Sequence, residues 1–152
     1  MKKLTYLMVY IVPLTVYLSF GLSGWLSFIP LLVFFGLVPA IELVLSPIRK
    51  NVPITDERIK SKYFDLIIYL SVPIHFSLLI YFLILVSTRD YSMLEYIGHS
   101  SAMGLMCGVF GINIAHELGH RTNRFERFLA EIMLLSSLEM HFTPYHNMGH
   151  HY

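Results

Sequence analysis

A single cysteine, Cys107, is the only thiol in this 152-residue chain, so no intramolecular disulfide braces the fold. It lies among Gly104, Gly108 and Gly111, where a lone thiol reads as a small packing residue rather than a nucleophile. Charge is scarce as well: 14% of residues carry it, with 11 Lys+Arg against 10 Asp+Glu and a net charge of +1. That balance gives neither a basic footprint nor an acidic tail, and it excludes nucleic-acid binding. Internal repeats and low-complexity tracts are also missing. In place of charge, 55% of the chain is AVILMFWYC and the mean hydropathy is +0.61. A soluble domain of this length cannot hide so much apolar surface.

The apolar residues fall into four stretches, 4–20, 25–45, 64–86 and 94–115, each long enough as a helix for a hydrocarbon core of about 30 Å. Lys2 and Lys3 before the first run imitate a signal peptide, but three further spans argue for a retained anchor. The short uncharged break between the first two runs makes them a hairpin. The one clear polar loop is 47–62. Placing the N-terminus in the cytoplasm puts Lys2, Lys3, Arg49, Lys50, Arg58, Lys60, Lys62, Arg121, Arg124 and Arg127 inside and only Arg89 outside, the asymmetry expected of basic residues. The expected fold is therefore all-α, a polytopic transmembrane helical bundle of about four spans plus an interfacial helix. That last helix lies between 125 and 140, about 24 Å if helical and too short to cross. Its charges Glu126, Arg127, Glu131 and Glu139 accompany an apolar stripe of Phe125, Phe128, Leu129, Ile132 and Leu135, which suits an interfacial or re-entrant position.

Within the runs, Ser100, Gly104 and Gly108 recur every fourth residue, a small-residue stripe expected to admit a close helix, with a lipid-chain groove as the alternative. Pro13, Pro30, Pro39 and Pro73 are expected to kink their helices. His75 sits mid-span and is expected to be a polar group paired between helices; His99 reads as structural.

Five of the eight histidines form two tight groups. His116 and His120 frame HELGH at i and i+4, so both imidazoles reach one ion from a single helix face. By itself this is also a literal HExxH, in which Glu117 would serve a zinc protease as general base. The second group, HNMGHH, holds His146, His150 and His151. His151 points about 100° from His150 on a helix, so the three suit two adjacent metals better than one tetrahedral zinc. Both groups are expected on the cytoplasmic side, where their side chains share a site. Glu42, Glu117 and His141 are candidates to support the ligands from behind.

The run NIAHELGHR at 113–121, followed by HNMGHH, resembles the membrane-bound alkane monooxygenases, within the superfamily of integral-membrane di-iron desaturases and hydroxylases. The likeness extends to VPAIE at 38–42 and VPIH at 72–75. It implies a helical membrane enzyme in which two Fe ions, held here by His116, His120, His146, His150 and His151, use O2 to hydroxylate a terminal C–H bond. It also implies electrons from rubredoxin or a similar donor and a bacterial inner-membrane location. The family usually has Glu just before the second group, where this chain has Tyr145. It also supplies further histidine boxes, so 1–152 is expected to be the N-terminal part of one oxygenase domain, inactive alone. An alkane or alkyl chain would bind through apolar contacts worth about 0.8 kcal/mol per methylene; Phe34, Gly104 and Gly108 are channel candidates. Box spacing does not read a headgroup, so an acyl-lipid desaturase or fatty-acid hydroxylase is the near alternative. An intramembrane zinc protease is the distant one, and a metal-binding membrane stub is the non-catalytic one.

Overall fold

The computed structural model describes residues 3–45 and 62–141, and every regular element among them is helical. We number the helices α1 (Tyr6–Ser19), α2 (Gly24–Val44), α3 (Lys62–Thr88), α4 (Met93–Gly119) and α5 (Arg124–Leu135). Among the described residues, α2, α3 and α4 are long and apolar enough to cross a membrane, while α1 is shorter than expected. It starts as a 3-10 helix over Lys3–Tyr10 before turning α over Ile11–Ser19. The stretched 3-10 rise of about 2.0 Å per residue brings the combined length to roughly 29 Å, near the apolar thickness of a bilayer. The polar loop expected over 47–62 lies outside the described residues, save Lys62, where α3 begins.

Two of the helices widen locally. In α2 a 3-10 turn over Gly24–Phe28 gives way to a π turn over Leu32–Leu37, with Pro30 and Pro39 each near the start of the α segment that follows. A proline ring needs room that a regular turn lacks, and the π turn supplies it. Pro73 sits in the interior of the continuous α-helix Lys62–Thr88. In α4 the π turn covers Met106–Gly111.

The α1–α2 turn is tied to the start of α4. Gly24, at φ 59°, donates its N–H to Glu95 Oε1 at 2.9 Å. The other Glu95 oxygen accepts from Ser92 N–H at 3.0 Å, and Ser92 Oγ accepts from Glu95 N–H, a capping box. One carboxylate thus caps α4 and fixes the hairpin. Nearby, Phe20 is 2% exposed, stacked on Phe82 and edge-on to Tyr81 and His99. His99 is buried against Tyr91 and Phe20, in keeping with a structural role.

The expected packing role of Gly104 and Gly108 is not what the structure shows. A Cβ on either would meet nothing within 4 Å, so among the described residues no helix closes on that stripe. Close approach occurs instead at Gly98, against Ser27 and Phe28, and at Gly111, where a Cβ would lie 3.0 Å from His75. Gly104, before the π turn, and Gly108, within it, both lie on the exposed side of α4 with Val109, whereas Gly98, Met106, Phe110 and Gly111 lie on the buried side.

Helix α5 turns back alongside α4 and buries Glu126, Ala130, Met133 and Leu134. Its expected apolar stripe is split: Leu129 packs on the core, whereas Phe125, Phe128 and Leu135 stay exposed. Only 11% of the apolar window of α2 is buried against 50% of that of α4, so among the described residues α4 is the central helix and α2 the most exposed of the three long ones.

Replacing Gly98 by Ala should overpack the α2–α4 contact and cost about 1–3 kcal/mol. Gly104→Ala should be neutral or slightly stabilising, since an exposed helical glycine loses about 0.5–1 kcal/mol relative to Ala. Unfolding of both variants in mixed detergent micelles checks the contrast.

Candidate metal centre

The Lys62 end of α3 and the Gly119 end of α4 lie together, and the α4–α5 turn caps them. His116 is in the last turn of α4; His120 is its C-cap residue, at φ −77° and ψ −8°. Their Nε2 atoms stand 3.0 Å apart, with ring planes at 87°. Two nitrogens each about 2.1 Å from one ion are separated by about 3.0–3.4 Å for ligand angles between octahedral and tetrahedral values. The separation of the pair therefore lies within the range for two imidazole ligands of one metal ion, which His116 and His120 would hold through Nε2. Among the described residues no group of three or more His, Cys, Asp or Glu converges. His146, His150 and His151 lie outside the described residues.

The candidate supporting residues are not gathered around the pair. Glu117 is exposed beside it, Glu42 is exposed near the end of α2, and exposed His141 is 3.3 Å from Glu139. Of the channel candidates, Phe34 is half-buried against the core, and Gly104 and Gly108 open outward. Past the π turn the exposed stripe of α4 runs on to Asn113 and Glu117, with His116 half-buried at its side. Asn113 Nδ2 donates to Val109 O at 2.6 Å, satisfying a carbonyl in the π turn.

Sequence reasoning missed the contacts that α3 makes with this hairpin. Asp65 Oδ1 is 2.9 Å from Arg121 Nη2. One turn along, Tyr69 donates its hydroxyl to Glu126 Oε1 at 2.6 Å, and Glu126 is only 7% exposed. Farther along, His75 Nε2 is 2.8 Å from Ser136 Oγ. Ser136 gives its one hydroxyl proton to Met133 O at 2.6 Å, so His75 is the donor in that pair. This is the interhelical pairing expected of His75. It also shows that the segment after α5 reaches the middle of α3. A carboxylate or tyrosine in a span is the only local signal that could have flagged these contacts.

Comparison with known proteins bears on what this arrangement serves. Over 133 residues the chain is 33% identical to alkane 1-monooxygenase 1 of Alcanivorax borkumensis, an alignment covering 86% of this chain and 32% of that protein. It is 32% identical to alkane 1-monooxygenase of Pseudomonas putida and 33% to that of Ectopseudomonas oleovorans, each over 85% of this chain and 33% of the relative. This chain is a relative of the alkane 1-monooxygenases. It spans about a third of the length of the curated relatives it matches. No family model and no solved structure matches it.

Because His75 belongs to helix packing, Ser136→Ala should leave its Nε2 buried and unpaired, destabilising the chain by about 1–3 kcal/mol. Cobalt(II) binding at His116 and His120, followed by absorption spectroscopy, should be unchanged.

Proposed function

We propose that this chain carries part of the metal centre of a membrane oxygenase that hydroxylates the terminal carbon of alkanes or alkyl chains. The observation that carries the reading is the His116–His120 Nε2 pair, 3.0 Å apart at a helix end, in a chain related to alkane 1-monooxygenases. In this reading His146, His150 and His151 complete the protein ligands that lie in this chain, and the metals are two iron ions. When bound, the iron pair supplies activation of O2, with two electrons from rubredoxin or a similar donor and two protons yielding one alcohol and one water.

The chain's own residues bind and orient. An unactivated C–H bond offers no polar handle, so substrate affinity rests on methylene burial, about 0.8 kcal/mol each, along apolar helix surface. Phe34 and the open Gly104–Gly108 face are the surface proposed to take the alkyl chain. Glu117, beside the pair, and Glu42 and His141 farther off are proposed to hydrogen-bond ligand imidazoles and set their tautomers. The excess of basic residues flanking the spans on this side supports a cytoplasmic location for this end, and the membrane proposed is a bacterial inner membrane. There an alkyl chain enters from lipid while a soluble donor approaches from water.

Five imidazoles are too few for two irons with about four or five ligands each. The purified 152-residue chain should thus bind metal without oxidising alkane. Metal analysis should show iron retention falling at least about tenfold in His116→Ala and in His150→Ala. One tightly held zinc, insensitive to His150 and His151 but coupled to a Glu117-dependent peptidase activity, would overturn the proposal.

A further inference from the structure

We infer that Asp65 and Tyr69 of α3 are positioning residues that hold the histidine pair at metal-binding distance, an inference that rests on the metal reading above. The difficulty they meet is local. His116 lies in regular helix and His120 is its C-cap residue, so the helix sets their backbone spacing while His120 stands at the junction with the turn that follows. Around that turn His120 N–H reaches His116 O at 3.2 Å, Arg121 N–H reaches Leu118 O at 3.1 Å and Phe125 N–H reaches Asn123 Oδ1 at 2.9 Å. Helix ends fray unless the segment beyond them is held.

Helix α3 grips it from both sides. Asp65 and Tyr69 are one turn apart on α3 and meet residues on opposite arms of the hairpin. Arg121 directly follows His120, and Glu126 lies in the first turn of α5. Fixing both arms fixes the turn between them. The Asp65–Arg121 pair is about one-third exposed at each partner, where an ion pair adds little to stability. Its value is directional: it pins the backbone adjacent to His120. The Tyr69–Glu126 bond is different in kind, since a buried carboxylate without its donor would be driven outward, taking the α5 end of the turn with it.

The experiment uses the chain in dodecylmaltoside micelles, with cobalt(II) alone as the probe and its visible absorption as the readout. Asp65→Asn and Tyr69→Phe should each weaken the His116-dependent cobalt site by about tenfold and broaden its absorption bands, as loss of supporting residues does at metal sites. Helical circular dichroism and the unfolding midpoint of Asp65→Asn should be unchanged. The exchanged pair Asp65→Arg with Arg121→Asp should restore affinity to within about twofold, a rescue that loss of general packing would not permit. Cobalt affinity equal to that of the unaltered chain in both single variants overturns the inference. If His116→Ala also leaves cobalt binding untouched, the metal reading itself falls, an outcome distinct from failure of the α3 contacts alone.

Discussion

Polar groups inside an apolar medium must find partners within the protein, and that requirement sets the register of this bundle. Most of the hydroxyls in the spans meet it locally: Thr15, Ser19, Ser27 and Ser71 each donate to a carbonyl three or four residues back. The groups too large or too charged for a local solution reach across. Tyr10 donates to Ile67 O, Tyr69 to Glu126 and His75 to Ser136, while Asp65 faces Arg121. All four contacts involve α3. Between helices in lipid, apolar surfaces slide past one another with little change in energy, whereas polar contacts specify one alignment. Helix α3 is thus the reference against which α1, the end of α4 and α5 are placed.

The apolar runs made the helices legible because burial in a bilayer demands length and composition, and both are linear properties of sequence. The same property hid the irregular turns. Nothing in MCGVFG announces a π turn at Met106–Gly111, where Gly111 passes close to the His75 ring. Gly104 and Gly108 do share a face, but small size at a spacing of four does not say whether a helix lies opposite, and the packing falls to Gly98 and Gly111 instead. The shortness of α1 has a similar origin, because a stretched 3-10 start compensates for missing residues without altering the apolar pattern.

The histidine pair was legible for the opposite reason: i and i+4 is a local relation that a helix converts directly into proximity. Its supports were not, because Asp65 and Arg121, or Tyr69 and Glu126, are more than fifty residues apart and share no periodicity. A titratable residue near a span end announces only that it needs a partner. Which partner it takes depends on how α5 folds back, and that in turn depends on Glu126, Ala130, Met133 and Leu134 facing inward while Phe125, Phe128 and Leu135 face out. A helix apolar on two sides gives its sequence no means of declaring which side is inner.

The separation of the two imidazoles links these threads. A metal ion drawn to a flexible pair would have to order two side chains and a helix end, and the cost would come out of its affinity. Here the two Nε2 atoms already stand 3.0 Å apart, a separation that, on the reading proposed above, spares an ion the cost of bringing them together. The contacts of α3 with Arg121 and Glu126 touch neither imidazole, so the order we infer for the pair would come from groups that do not ligate, leaving the histidines free of the task of holding the fold.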